Sequence, residues 1–392
     1  SGSDGREETQ TVHLNPLSGK WGEDNSCLQR HVSLAIAYNI YEYFMATNDI
    51  QFMEEYGAEM FLEICRFWAS KAKKNEKTGR YSIDKVMGPD EFHEMYPNAK
   101  EGGLKDNAYS NIMVAWMLGK VKEITSKMNC TAEENVLLKI QLSYQEMLLW
   151  DEIASNLNIV LSEEGIISQY DGYFDLKELD WDADREEYTN IYRMDRLLKA
   201  EGKSADDYKV AKQADTLMTF FNLEKQEVDE IFEKLGYQLP KNYLEKNLDY
   251  YLARTSHGSS LSRVVHGQLA NIIDDDDLSW RLFSEALGSD YADIQGGTTG
   301  EGIHTGVMAS TVMVALTNYA GINLHKEKLE IHPQLPKHWK TIQFNMVYRG
   351  VKFNIHISKT ELSITSNKNT SLTILGKEVS LKENIKEVIN LV

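Results

Sequence analysis

Val86-Met87-Gly88-Pro89-Asp90-Glu91-Phe92-His93-Glu94 sets three carboxylates and an imidazole within five residues, directly after a Gly-Pro pair. Gly and Pro interrupt regular structure, so these groups are expected on a loop rather than inside a helix. Loops held by a rigid scaffold are where catalytic groups concentrate. Downstream, Asp106-Asn107-Ala108-Tyr109-Ser110-Asn111 stays polar until the apolar run over 112–118 opens a helix. The plainer reading of the same residues is an acidic, solvated turn between two helices.

Around that stretch, apolar residues recur at helical spacing over 28–44, 52–72, 112–128, 132–154, 192–200, 208–221, 227–235, 260–273, 279–287 and 306–319. After Gly321 the period changes to two, over 329–332, 342–347, 351–357 and 361–364, with turns at Tyr348-Arg349-Gly350 and Ser366-Asn367-Lys368. The pattern predicts a large helical domain of packed helix pairs over 1–325 and a small antiparallel β-sheet domain over 326–392. Asp274-Asp275-Asp276-Asp277 lacks the spaced ligands and glycine of a calcium loop and reads as a helix-helix turn.

A hydrophobic content of 42% is that of a globular chain, and a net charge of −18 argues against nucleic acid, which is bound by a basic footprint. No run is long and apolar enough to predict a membrane span. Cys27, Cys65 and Cys130 are odd in number, scattered and without metal spacing, which suggests a reducing compartment. The first six residues are polar and show no signal peptide. A cytoplasmic location is therefore expected.

Three further stretches carry chemistry: Lys212-Gln213-Ala214-Asp215, Ser256-His257-Gly258-Ser259-Ser260-Leu261-Ser262, and Gln295-Gly296-Gly297-Thr298-Thr299-Gly300-Glu301-Gly302-Ile303-His304. Taken in order with the acidic loop, they resemble the signature of family 65 of the glycoside hydrolases, which contains inverting disaccharide phosphorylases and a few hydrolases. The resemblance implies a mainly α fold, an (α/α)6 toroid barrel lacking its first helices, followed by the small β-sheet domain. It implies that this chain corresponds to about the second half of a typical member. It also implies that the first 26 residues lie near the sugar pocket; the plainer reading is a frayed terminus.

Cleaving a glycosidic bond requires a proton for the leaving oxygen and an attacker at the anomeric carbon. The resemblance makes Glu91 the proton donor, with Asp90 and Glu94 at hand to supply the negative charge that keeps a carboxyl protonated. The alternative donor is Glu94. Lys212 and Gln213, on the helical pattern over 208–221, match the pair that binds the glucosyl hydroxyls; on their own they are an ordinary exposed pair. His31 matches a sugar-contacting histidine or is a core histidine, and Asp90 joins the substrate-binding set.

The 256–262 stretch offers hydroxyls, amides and an imidazole at the start of a helix, without a carboxylate, and so suits an anion. His257, Ser259 and Ser260, together with Thr298, Thr299 and His304, are the expected phosphate ligands; the plainer reading is that the serines are helix caps and the glycines turn formers. Trp21 and Trp181 are candidate sugar-stacking rings. The linker over 95–105 follows the proton donor and is expected to line the acceptor side.

The leading expectation is inverting phosphorolysis of an α-glucosidic disaccharide to β-glucose 1-phosphate and a free sugar. No cofactor or metal is called for, and inorganic phosphate is the co-substrate. An inverting α-glucoside hydrolase, or a chain that binds carbohydrate without catalysis, remains open. The partners expected are a disaccharide or oligosaccharide and phosphate, with room for a homodimer.

Overall fold

The computed structural model describes residues 6–294, 300 and 302–392. The chain is largely helical as far as Tyr319 and forms short sheets beyond it. Helix Ala108–Gly119 is the innermost element: every residue from Ala108 to Leu118 is buried. A helix that is apolar all round has no solvent face to offer, and helices Val32–Thr47, Ala58–Lys71 and Tyr144–Asn156 surround it. Asn107 caps it by accepting the Ser110 N–H. Helices Ser260–Ile272 and Asp276–Gly288 form a second tight pair, with Asp275 of the four-aspartate run as the cap of the latter. No helix of the described residues is long and apolar enough to cross a membrane.

Several helices differ from the periodic reading. The 132–154 pattern is two helices, Cys130–Lys139 and Tyr144–Asn156, because Ser143 and Glu146 form a capping box that starts the second one. The 208–221 pattern is helical only over Met218–Asn222. Upstream of it the backbone is captured from outside: Ala211 N–H donates to the Arg254 carbonyl and Lys212 N–H to Asp90. Lys212 and Gln213 therefore sit on an irregular strand-like segment, not on a helix. Helix Tyr243–Leu252 and the N-terminal hairpin Val12–Asn15 with Lys20–Glu23 were not legible as elements.

After Gly321 two four-stranded sheets stack. One runs Lys377–Leu381, Thr370–Ile374, Glu330–Ile331, Ile322–Asn323, and the other Glu387–Asn390, Glu361–Ser366, Val351–Ser358, Thr341–Tyr348. The second is wholly antiparallel, and the first has one parallel pair. Ile331, Ile355, Ile357, Leu362 and Leu372 fill the space between them. The turn after Tyr348 has positive φ at Arg349 and Gly350, as a tight hairpin requires. Its Arg349 donates from N–H and Nε to the carbonyls of Ala46 and Met45, which ties the sheets to the end of helix Val32–Thr47.

Candidate active site

The acidic loop is anchored by groups behind it. Gly88 lies so close to Asn107 and Asp215 that a Cβ there would come within 2.4 Å of both side chains. Asn107 Nδ2 donates to both oxygens of Asp215. Burial, then the charge of Asp90, push the Asp215 carboxyl well above the usual carboxylate range. Asp90 is also buried; its Oδ1 accepts the Lys212 N–H at 2.8 Å and its Oδ2 lies 3.4 Å from His93 Nδ1. His93 donates from Nε2 to the Tyr208 carbonyl at 2.9 Å. Burial opposes protonation of His93, but Asp90, Asp206 and the Tyr208 carbonyl outweigh it and raise its pKa. Asp206 accepts the Glu94 and Met95 N–H groups, and Gln213 Nε2 donates to the Pro89 carbonyl. Loop and segment are thus laced together before any ligand is considered.

Glu91 projects out of this lattice with its side chain half exposed. Its partner differs from the expected one. The group against it is the Lys212 ammonium, 2.6 Å from Oε2, while Asp90 faces inward and Glu94 accepts from the N–H and Nδ2 of Asn25. Burial holds the pKa of His31 low; the Met87 backbone and the Glu91 charge partly oppose that shift. His31 therefore stands near Glu91 but does not line the cavity beside it.

A cavity of about 240 Å³ opens beside Glu91, with Glu94 and Lys212 in its wall. The hairpin side contributes Gln10, His13, Asn15 and Asp24, so the early residues from Gln10 onward frame the pocket rather than fray. The far wall is Arg193, Asp195, Arg196 and Lys199. The 95–105 linker, expected there, does not line this cavity; it folds back instead, Gly103 N–H donating to the Glu94 carbonyl. Trp21 and Trp181 do not line it either.

The 256–262 loop meets the same place from another side. A Cβ on Gly258 would fall 2.3 Å from the Tyr192 carbonyl and 3.1 Å from Lys212 Cγ, so the loop packs directly on the lysine that holds Glu91. Ser259 caps helix Ser260–Ile272, and the Ser260 hydroxyl is buried with no hydrogen-bond partner among the described residues. His257 Nδ1 bonds the Ser262 hydroxyl at 2.9 Å. Burial, then the neighbouring His266, Arg263 and Arg281, hold His257 well below its usual pKa. His266 donates from Nδ1 to the Ser262 carbonyl, and burial lowers its pKa to about 4. Both rings are therefore neutral near pH 7. Arg263, fully buried behind the loop, pairs with Glu285 at 3.0 Å and donates to the His257 carbonyl at 3.3 Å.

His304 is fixed by Asp290, which accepts its N–H at 2.7 Å and lies 2.8 Å from its Nδ1. Thr298 and Thr299 lie outside the described residues. Residues that the sequence reading missed are Arg193, Arg196 and Lys199 in the cavity wall, and Arg263.

Residues 1–313 match the glycosyl hydrolase family 65 central catalytic domain, and 322–381 match the C-terminal domain of that family. The chain belongs to glycosyl hydrolase family 65. It is 42% identical to trehalose 6-phosphate phosphorylase of Lactococcus lactis subsp. lactis (strain IL1403), over 100% of this chain and 49% of that protein. Kojibiose phosphorylase of Caldanaerobacter subterraneus subsp. tengcongensis is 30% identical over 92% of this chain and 46% of its own. A solved structure from the human microbiome, provisionally named a kojibiose phosphorylase, superposes with a TM-score of 0.74 at 25% identity, covering 92% of this chain and 49% of that one. The chain spans about half the length of these relatives.

Proposed function

We propose that this family 65 chain cleaves an α-glucosidic disaccharide by inverting phosphorolysis. Glu91 gives its proton to the leaving oxygen as the bond from C1 to that oxygen breaks. A phosphate oxygen forms the new bond to C1 from the opposite face, yielding β-glucose 1-phosphate and a free sugar. Lys212, Gln213 and His31 hold the glucosyl unit, with Asp90 fixing the Lys212 backbone. His257, Ser259 and Ser260, with Thr298, Thr299 and His304, serve the phosphate.

The observation that carries this reading is the character of the loop packed on Lys212. It has hydroxyls, a helix start, neutral imidazoles and a buried arginine, but no carboxylate that could activate water. Phosphate is already a nucleophile and needs no such base. The names of the related phosphorylases support the same class of reaction. Phosphate acts as co-substrate without a cofactor, a homodimer is compatible with the reading, and a cytoplasmic enzyme fits its chemistry.

The test is sugar release from candidate α-glucosyl disaccharides with and without inorganic phosphate. Release that requires phosphate, with β-glucose 1-phosphate formed in equal amount, supports phosphorolysis. Equal release in its absence makes the protein an inverting α-glucosidase.

A further inference from the structure

A second cavity, of about 330 Å³, lies at the seam where the helical part of the chain meets the sheets. Its wall is built by helix Met218–Asn222 and the turn after it, the last turns of helix Ser260–Ile272, the π-helical turn Ala315–Tyr319 and strand Ile322–Asn323. It shares no lining residue with the cavity beside Glu91. Helix Ser260–Ile272 starts at the 256–262 loop and ends at this seam, so Asn271 stands about 16 Å along the axis from Ser260, at 1.5 Å per residue. The volume falls at the small end of the range of small-molecule sites.

Carboxamides dominate the wall: Asn222, Gln268, Asn271, Asn318, Asn323 and Gln334 all line it. Five of them are partly used by the fold. Asn222 donates to the Tyr109 hydroxyl, Gln268 to the Phe221 carbonyl, Asn323 to Glu224 and Gln334 to Asp274, while Asn318 accepts from the Thr317 hydroxyl. Asn271 is different. It is only 3% exposed, and its side chain makes no hydrogen bond with any described residue. A buried carboxamide without a partner is costly, and native folds leave few of them. The charges in the wall are spent elsewhere. Glu224 pairs with Lys326 at 3.0 Å, Lys225 with Asp229 at 2.7 Å and His325 with Glu42 at 2.9 Å, and none of these three partners lines the cavity. His332 stands at the exposed rim.

A carboxamide offers an acceptor and two donors in one plane. A sugar hydroxyl is likewise donor and acceptor, and adjacent hydroxyls on a ring present both to a single amide. An anion would require a cation free of its own carboxylate, which neither Lys225 nor His325 is. Phe221 and Ile272 add an apolar strip for the C–H face of a ring. We propose that this seam is a second, non-catalytic site that binds a neutral saccharide, with Asn271 as its central contact and Gln268, on the same helix, beside it. The site takes no part in bond cleavage and stands whether or not Glu91 serves phosphorolysis.

The test is amide hydrogen exchange of the chain with maltose, a neutral α-glucosyl disaccharide, as the probe and sorbitol at the same concentration as the control. Maltose should slow exchange over 217–224, 268–273 and 317–323, and sorbitol should not. Asn271→Leu should raise the maltose concentration that gives half of this protection by about tenfold or more, while the maltose response of the 86–94 loop stays as in the wild type. Having no bond to lose, this variant should melt no lower than the wild type. Gln268→Met reads the same loss of protection if Asn271→Leu does not fold. Absence of protection at the seam overturns the proposal, as does equal protection by sorbitol or protection that the variant leaves intact. A maltose effect confined to the 86–94 loop assigns all sugar binding to the site of Glu91 and overturns it too.

Discussion

The two loops that meet at Lys212 are built on opposite electrostatic plans. Behind Glu91, Asp90, Asp206 and Asp215 are buried, and Asp90 and Asp206, with the Tyr208 carbonyl, hold the imidazole of His93 toward its charged form. Behind Gly258, Arg263 is the buried ion, and both nearby imidazoles are held neutral by burial. The first plan surrounds a carboxylic acid with fixed partners and leaves that acid facing the cavity. The second presents hydroxyls and amides with no competing carboxylate. One side is suited to giving a proton, the other to receiving an anion, and Lys212 touches both.

The largest expected effect comes from breaking the first plan at its exposed acid. Glu91→Gln keeps the shape and removes the proton, and should lower kcat by about a hundred- to ten-thousand-fold with a small change in KM for the disaccharide. A larger loss from Glu94→Gln, measured in the same assay, would transfer the donor role to Glu94.

Ser259→Ala with Ser260→Ala probes the second plan. Hydrogen bonds to a charged oxygen contribute roughly 1.5–3 kcal/mol each, so the KM for phosphate should rise by about tenfold or more while that for the disaccharide holds. An unchanged phosphate KM would leave Ser259 as the helix cap its contact with Leu261 already makes it. Introducing a carboxylate at Gly258 to favour water is not a usable companion test, because the Tyr192 carbonyl occupies the space of a Cβ.

Lys212→Ala removes the group common to both plans. It should reduce kcat by roughly tenfold and raise the disaccharide KM less, since bonds to the reacting ring tighten in the transition state. Normal kinetics would return Lys212 to a structural role.

The last effect leaves activity aside and concerns stability. The folded pKa of His266, about 4, lies below its ordinary 6.5. The unfolded chain binds the extra proton first, so this ring's contribution is complete above pH 6.5 and is lost as pH falls from 6.5 toward 4. The loss amounts to about 3 kcal/mol. Denaturant melts of His266→Asn across that window should show a shallower pH dependence than the wild type. His93 has the opposite sign: its raised pKa contributes stability below its ordinary value, lost as pH rises through the folded one. An equally steep acid slope in His266→Asn would assign that slope to carboxylates elsewhere.

How legible these plans were depended on whether their partners were local. Helix Ser260–Ile272 was read to within a residue, because its cap and apolar face lie in one stretch. The break at Ser143 was missed, although Ser-Tyr-Gln-Glu is a capping-box spacing. The 208–221 pattern misled because Asp90 and Arg254, distant in sequence, hold the backbone that periodicity assigned to a helix. Glu91 was singled out from its motif, but its contact with Lys212 spans 121 residues and no local pattern encodes it. Arg263 was hidden for a different reason: a buried arginine on an apolar helix face is visible only with Glu285 of the neighbouring helix beside it. Arg193, Arg196 and Lys199 did carry a signal, their three-residue spacing, which passed as the polar side of an ordinary helix.

Tyr192 joins the cavity wall to the 256–262 loop. Its carbonyl touches the Gly258 position and accepts from the Ser256 hydroxyl, its ring lies 5.1 Å from the Arg263 guanidinium, and Arg193 of the cavity wall is its chain neighbour. The cavity wall at Arg193 and the 256–262 loop are thus joined through one residue. Any coupling between ligands at these two places is reciprocal, each changing the other's affinity by the same factor.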